Sequence, residues 1–157
     1  MWIQTPFKDC LPGLFLPERL ILKKKKRGWD EEFDNERAAY GLLKALLSDI
    51  IPVCYGEVEI EGERALLLSY VDGVSLYDVT DLAVDEVQQM AEDAFLPLQQ
   101  HGVIPDDTKL ENFILVENKL VIIDLEHVYE PVTPGKVDYV AKSALRMLLK
   151  QYKLSKD

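Results

Sequence analysis

Short apolar segments that end at turn residues recur along the chain, and their spacing predicts five strands. The first strand runs into a block of lysines, and Gly28 follows that block. The next two strands are joined at Glu61-Gly62 and the last two at Glu117-Asn118, so each pair predicts a β-hairpin. The predicted strands cover residues 20–24, 53–60, 64–71, 113–116 and 120–124.

Three longer segments instead repeat their apolar residues every three or four positions, which is the spacing of a helix with one buried face. Gly102 ends the second of these helices, and Pro134 stands in the first turn of the third. A very short helix is also predicted at 75–79, because Ser75 and Asp78 have the spacing of a capping box. The long helices cover residues 30–48, 84–100 and 134–152.

The order strand, helix, hairpin, helix, hairpin, helix predicts an α+β fold with antiparallel strands and segregated helices. The chain has 157 residues, of which 48% are hydrophobic, and this suits a single domain with one core. No internal repeat and no low-complexity linker divides the sequence.

The net charge and the cysteine content limit which partners and which cellular compartment we expect for this protein. The net charge is −10, so the surface repels nucleic-acid phosphate and anionic lipid, and we expect no nucleic-acid and no membrane partner. Two cysteines, Cys10 and Cys54, are too few for a disulfide framework and lie among apolar residues. Because neither a signal peptide nor an apolar segment of membrane-spanning length is recognisable, we expect a cytoplasmic protein.

One basic block, Lys23 to Arg27, interrupts the acidic background. Such a block is typical of nuclear localisation signals, so a nuclear location is one alternative. The block directly continues the apolar residues Leu20 to Leu22, and a strand that ends in lysines is the simpler interpretation.

Glu36 has an unusual position for a carboxylate, because it falls within the apolar arc of the first predicted helix. An unpaired carboxylate buried there would cost several kcal/mol, so Glu36 needs a cation. The nearest candidates upstream are the lysines that follow Leu22. The alternative is that Glu36 lies at the edge of the arc and reaches water. The arc contains Phe33, Tyr40, Leu43 and Leu47.

A second group of polar residues flanks the last predicted hairpin. Asp107, Lys109 and Asn112 precede it within six residues, and Asp124 ends it. Asn112 and Asp124 offer oxygen ligands, which suit Mg²⁺ between phosphates. Asp107 can accept a proton from an attacking hydroxyl, and Lys109 can neutralise charge on a moving phosphoryl group. Together they predict a phosphoryl-transfer site, and a purely structural loop is the alternative.

Several segments resemble motifs of the protein-kinase-like superfamily. "PDDTKLEN" and "DLE", which begin at Pro105 and Asp124, resemble the catalytic loop and the metal-binding motif, and a similar stretch occurs in fungal kinase-like proteins and in small kinases of the aminoglycoside-phosphotransferase type. Upstream, "LILK" resembles the third-strand lysine motif and "FDNERAAYGLL" the regulatory helix. The resemblance covers roughly residues 18–128. It implies a minimal kinase-like fold, with a small antiparallel-sheet N-lobe at about 1–70 and a reduced helical C-lobe at 71–157.

The resemblance also implies a role for each matching residue. Lys23 would contact the α- and β-phosphates of ATP and pair with Glu36, with Lys24 and Glu32 as close competitors for these roles. The segment "ALLLSYVDGVSL" resembles the strand that leads to the hinge, which would place the adenine near 68–71. The residues of that segment implied to bind the cofactor are Leu68, Tyr70 and Val71.

In the catalytic loop, the resemblance makes Asp107 the catalytic base and lets Lys109 steady the γ-phosphate. It makes Asn112 and Asp124 the ligands of the metal ions. The implied cofactors are therefore ATP and Mg²⁺, and the implied acceptor is a hydroxyl on a protein or a small molecule.

Three features depart from the kinase pattern. No Gly-x-Gly-x-x-Gly motif precedes the lysine block, where Gly13 alone is available. The residues before Asp107 are Pro105-Asp106 instead of His-Arg, which adds a second carboxylate, and Asp-Phe-Gly is replaced by Asp124-Leu125-Glu126. Because about thirty residues follow Asp124 without an Ala-Pro-Glu motif, we also expect a reduced C-terminal part.

Two functions stay open from the sequence. The chain is an atypical ATP-dependent phosphotransferase, or it is a catalytically impaired pseudokinase that binds a nucleotide or a partner. The complete set of kinase-like polar residues favours the enzyme, whereas the missing glycine motif and the additional carboxylates favour the binding module.

Overall fold

A computed structural model describes residues 2–3, 17–46, 49–126, 128–129 and 134–156 of the chain. Cys10, Gly13 and the last two residues of the first predicted helix, Leu47 and Ser48, lie outside these ranges. The strands are β1 (Trp2–Ile3), β2 (Leu20–Lys24), β3 (Cys54–Ile60), β4 (Glu63–Ser69), β5 (Val74–Ser75), β6 (Ile104–Pro105), β7 (Phe113–Val116), β8 (Lys119–Ile122) and β9 (Val128–Tyr129). The helices are α1 (Asp30–Leu42), α2 (Val84–Gln100) and α3 (Pro134–Leu154), with 3₁₀ turns at Lys44–Leu46 and Leu110–Asn112.

The first sheet has four antiparallel strands in the order β1-β2-β4-β3. The turn between β3 and β4 is made by Glu61 and Gly62, which both have positive φ, the conformation that matches the twist of a two-residue hairpin. In β2, Ile21 lies opposite Leu68 and Lys23 lies opposite Leu66. The predicted strand 20–24 and the first predicted hairpin are therefore present in the structure.

The second sheet has three strands in the order β5-β7-β8, and β6 pairs separately with β9. The hairpin of β7 and β8 is the second one predicted. The predicted helix at 75–79 is wrong, because Ser75 belongs to β5 and lies opposite Ile114 of β7. The Ser75 hydroxyl accepts a hydrogen bond from the backbone N–H of Tyr77, so it stabilises a turn instead of a helix start.

The helices α2 and α3 begin where the sequence predicts. In α2, the Glu86 carboxylate accepts a hydrogen bond from the Ala83 N–H at the start. Gly102 follows the end of this helix with a φ of +73°, a left-handed conformation that glycine adopts without strain. The helix α1 is shorter than predicted, since it stops at Leu42 and a tighter 3₁₀ turn follows.

The main core connects both sheets with the three helices. It contains Leu43 beyond α1, Leu66 of β4, Phe95 of α2, Phe113 of β7 and Tyr152 of α3. Burial of these large side chains fixes the helices against the sheets and is the main source of stability. Among the described residues, no helix is long and apolar enough to cross a membrane.

Candidate functional site

Strand alternation decides which lysine of the basic block faces the interior. Successive side chains of β2 point to opposite faces of the sheet, so Lys23 shares the inner face with Ile21, which packs against the main core. Lys24 points to the other face and lies 3.2 Å from Glu61. Of the two competing lysines, the structure therefore brings only Lys23 to the interior.

Lys23 and Glu36 form a buried ion pair. The Lys23 ammonium lies 2.9 Å from Oε1 and 2.8 Å from Oε2 of Glu36, which is fully buried. The helix α1 places Glu36 on its buried face together with Phe33 and Tyr40. The cation that the sequence requires for Glu36 is thus Lys23, and the edge-of-arc alternative does not occur.

Two further carboxylates approach the same ammonium group. Asp124 Oδ1 lies 3.0 Å and Glu126 Oε1 lies 3.2 Å from the Lys23 Nζ. The backbone helps to hold them, because the Glu126 N–H donates to Asp124 Oδ1 at 3.0 Å and the Leu125 N–H donates to Glu36 Oε1 at 3.4 Å. The three acidic residues offer carboxylate oxygens that lie within 4.8 Å of one another.

The surroundings raise the pKa values of both Lys23 and Glu36. Burial lowers the pKa of Lys23, but the attraction of Glu36 and then Asp124 outweighs it, so the pKa of Lys23 is raised. Burial raises the pKa of Glu36 to about 7, against the opposing effect of Lys23. Because Asp124 and Glu126 add further negative charge, Glu36 holds a proton more tightly than an ordinary glutamate does.

Asp107, Lys109 and Asn112 lie in the loop between β6 and β7. The Lys109 ammonium lies 2.8 Å from Asp107 Oδ2, and the Asn112 side-chain N–H donates to the Asp107 carbonyl at 3.3 Å. The Ile123 N–H donates to the Asn112 carbonyl at 3.0 Å, which ties this loop to the residue before Asp124. The loop and Asp124 are therefore held beside each other.

The partners of Asp107 keep its carboxylate charged. Partial burial raises the pKa of Asp107, but the hydrogen bonds from the Lys109 side chain and backbone outweigh it and lower the pKa below its usual value. The same contact raises the pKa of Lys109, whose side chain is 68% exposed. Asp107 can therefore accept a proton, and Lys109 is accessible to a bound anion.

An apolar cleft of about 240 Å³ lies beside these polar groups. Ile21 and Ile123, which line it, precede Lys23 and Asp124 by two residues and by one residue. Leu68, Tyr70 and Val71, the segment implied to contact adenine, also line it. The remaining lining residues are Pro52, Ser69, Gly73 and Ile114. Because Ile21 and Lys23 share one face of β2, an apolar group in this cleft would lie on the same side of the sheet as the Lys23 ammonium.

The donor set suits a hard divalent cation. Asp124 offers carboxylate oxygens and Asn112 offers an amide oxygen, which are the kinds of ligand that Mg²⁺ prefers. The Asn112 side-chain N–H is the atom that donates to Asp107, so the amide oxygen is the end left to act as a ligand. In residue type, Asn112 and Asp124 therefore suit the metal-binding role that the resemblance implies for them.

For two residues of the site, Glu126 and Lys26, the sequence predicted no ion pair. Glu126 stands where the kinase pattern has glycine, yet it is 8% exposed and contacts Lys23. Lys26 lies 2.6 Å from Glu126 Oε2. The only sequence signal for Lys26 is the unbroken run of lysines, which does not show which of them reach Glu126.

The fold is similar to that of a solved protein kinase domain. A crystal structure of the Mycobacterium tuberculosis PknI kinase domain, in a mutant form, matches with a TM-score of 0.59 and 18% sequence identity. The similarity covers 85% of this chain and 64% of the kinase domain, so the chain spans less than two thirds of that domain. The predicted protein-kinase-like fold is thereby confirmed.

A family match covers most of the hairpin of β3 and β4, the helix α2 and the whole catalytic-loop region. It extends over residues 56–134, which is half of the chain. The matching family is described as WaaY, lipopolysaccharide core biosynthesis protein. The chain therefore belongs to the WaaY family, within the kinase-like superfamily.

Proposed function

We propose that this protein is an ATP-dependent phosphotransferase that moves the γ-phosphate of ATP to a hydroxyl acceptor. The observation that carries the proposal is the meeting of Glu36 and Asp124 at the ammonium of Lys23, at distances of 2.9 and 3.0 Å, beside an apolar cleft. A kinase-like fold and membership of the WaaY family support the same class of reaction.

Nucleotide binding would use both the cleft and the ionic group. The adenine would lie against Leu68, Tyr70 and Val71, and Lys23 would contact the α- and β-phosphates while Glu36 orients it. Asn112 and Asp124 would hold Mg²⁺, which offsets the negative charge of the phosphates when it is bound. We propose that the two lobes meet near residue 70, where the cleft-lining segment follows the end of β4.

The transfer step would use Asp107 and Lys109. The acceptor oxygen forms a bond to the γ-phosphorus, its proton passes to the Asp107 carboxylate, and the bond to the bridging oxygen of ADP breaks with its electron pair leaving on ADP. The lowered pKa of Asp107 keeps it ionised at neutral pH and ready to take this proton. Lys109 would turn from Asp107 toward the γ-phosphate, which its exposed side chain permits.

The family description suggests where the acceptor hydroxyl belongs. Because the family is described by lipopolysaccharide core biosynthesis, we propose a hydroxyl of a lipopolysaccharide core precursor as the acceptor. We propose a cytoplasmic location, where ATP is available, and a partner set without nucleic acid.

The experiment compares the wild type with Asp107→Asn and with Asp106→Asn, which changes the neighbouring exposed carboxylate. Thermal unfolding with and without Mg-ATP measures binding, and γ-phosphate release or transfer measures catalysis. We expect all three proteins to be stabilised by Mg-ATP and turnover to fall by about 100-fold or more for Asp107→Asn alone. Absence of stabilisation in the wild type, or equal turnover in the two variants, would contradict the proposal.

The second candidate function is a pseudokinase that binds nucleotide or a partner without transfer. It is favoured by the three carboxylates around Lys23, which compete with phosphates for its charge. Stabilisation by Mg-ATP without turnover that depends on Asp107 would support this function over the enzyme.

A further inference from the structure

Four consecutive lysines, Lys23 to Lys26, contact different sets of carboxylates. Lys24 lies 3.2 Å from Glu61, and Lys25 lies 2.6 Å from Asp30, so both bind acidic residues of the outer surface. Lys23 and Lys26 instead both reach Glu126, from the same end of β2. The block therefore supplies two cations to Glu126, although the kinase motif accounts for only one.

Glu126 is held between these two ammonium groups. Its Oε1 lies 3.2 Å from Lys23 Nζ and its Oε2 lies 2.6 Å from Lys26 Nζ, while only 8% of the side chain is exposed. Lys26 itself is 49% exposed, and its ammonium lies 4.4 Å from the centre of the Trp29 ring. The Glu126 carboxylate, a small anion with two oxygens, is thus bound by one buried lysine and one accessible lysine.

We propose that Lys26 is a second phosphate-binding residue, which forms an anion site with Lys23. The site holds the Glu126 carboxylate in the nucleotide-free protein, and a phosphate group of ATP replaces that carboxylate on binding. The inference rests on the proposed function and adds a residue to it.

The chemistry of the two anions supports the exchange. A carboxylate and a phosphate both present two oxygens to neighbouring donors, and ammonium groups bind either as point charges. No Gly-x-Gly-x-x-Gly motif occurs in residues 1–22, so a lysine side chain would supply contacts that backbone N–H groups of such a motif supply elsewhere. Displaced Glu126 stays beside Asp124, to which its own N–H is bonded.

The experiment measures the dissociation constants of Mg-ATP, Mg-ADP and adenosine by titration calorimetry. The variants are Lys26→Met, the matched control Lys25→Met, the charge-preserving Lys26→Arg and Glu126→Gln. We expect Lys26→Met to weaken Mg-ATP and Mg-ADP about tenfold and adenosine by less than about twofold, because only the phosphates contact Lys26. Lys25→Met and Lys26→Arg should stay within about threefold of the wild type.

Glu126→Gln separates an anion site from a structural ion pair. Removing the competing charge should tighten Mg-ATP binding several-fold, whereas loss of a structural pair would weaken the binding of all three ligands. Equal effects of Lys26→Met and Lys25→Met on Mg-ATP, or equal weakening of adenosine and ATP by Lys26→Met, would overturn the inference and leave the proposed function standing. No binding of Mg-ATP by the wild type would overturn both.

Discussion

The ammonium of Lys23 in β2 lies 2.9 Å from Oε1 of Glu36 in α1, although the two residues are thirteen positions apart in the sequence. Both side chains are almost fully buried, with 9% and 1% of their surface exposed. Loss of Lys23 therefore leaves the Glu36 charge uncompensated in the interior, whereas loss of Glu36 leaves Lys23 with Asp124 and Glu126 as partners.

Replacement of Lys23 by Met should lower the free energy of unfolding by about 3 kcal/mol at pH 8, because it leaves Glu36 buried without its cation. Urea denaturation measures this loss. Lys24→Met is the matched control, because the partly exposed contact of Lys24 with Glu61 should contribute less than about 1 kcal/mol. Addition of Glu36→Gln to Lys23→Met should recover part of the loss, and equal effects of the two single lysine variants would contradict the prediction.

Glu36 should make the stability of the protein depend on pH. Its pKa is about 7 in the folded protein and 4.5 when unperturbed, so the folded state binds a proton more tightly between these values. The free energy of unfolding should therefore fall as the pH rises from about 4.5 to 7, by at most about 1.4 kcal/mol per pH unit, and then level off.

The measurement compares the wild type with Glu36→Gln by urea denaturation on both sides of the Glu36 pKa. The difference between the two free energies of unfolding should shrink or reverse as the pH rises. Glu57→Gln is the control, because the hydrogen bond from Arg64 lowers the pKa of Glu57 and moves its effect below pH 4.5. Parallel pH profiles for the wild type and Glu36→Gln would refute the assignment.

Gly73 should tolerate no side chain. An added Cβ would lie against the Leu115 carbonyl oxygen and 2.6 Å from Ile114 Cγ2, so β5 and β7 would have to separate. We expect Gly73→Ala to lower the free energy of unfolding by about 2 kcal/mol, as overpacking does in cores. Gly41→Ala is the control, because Gly41 lies in α1 with nothing within 4 Å of an added Cβ, and it should be neutral or stabilising.

Lys109 should matter for turnover more than for nucleotide binding. Replacement by Met removes the charge that steadies the γ-phosphate, so we expect kcat to fall about 10- to 100-fold with a small change in the affinity for Mg-ATP. Because Lys109 also lowers the pKa of Asp107, the acid limb of the pH–rate profile should move to higher pH in this variant. Lys119→Met, at an exposed position of β8, should leave both rate and profile unchanged.

The sequence could place on a buried or exposed face those residues that lie in segments with the period of a strand or a helix. The helical arc in α1 located Glu36 on the buried face, but the sequence left Lys23 and Lys24 as alternative partners. The pairing of β2 with β4 shows that Lys23 is the partner. Lys26 and Glu126 lie outside any strand or helix, where no period exists, and their contact joins positions one hundred residues apart. The turn after Ser75 was missed because its pairing with Ile114 overrides a local capping pattern.

Because consecutive lysines stand at the end of β2, their charge alone does not fix the pairing register of this strand. If this strand slipped by one residue against β4, Lys24 would arrive where Lys23 now stands, and Glu36 would still meet an ammonium group. Electrostatics alone does not forbid that misalignment. Leu20 and Leu22 prevent this slippage. They share an apolar layer with Ala65 and Leu67 on the opposite side of the sheet, and slippage would remove both leucines from it. Hydrophobic side chains on the other face of β2 thus determine which lysine pairs with Glu36.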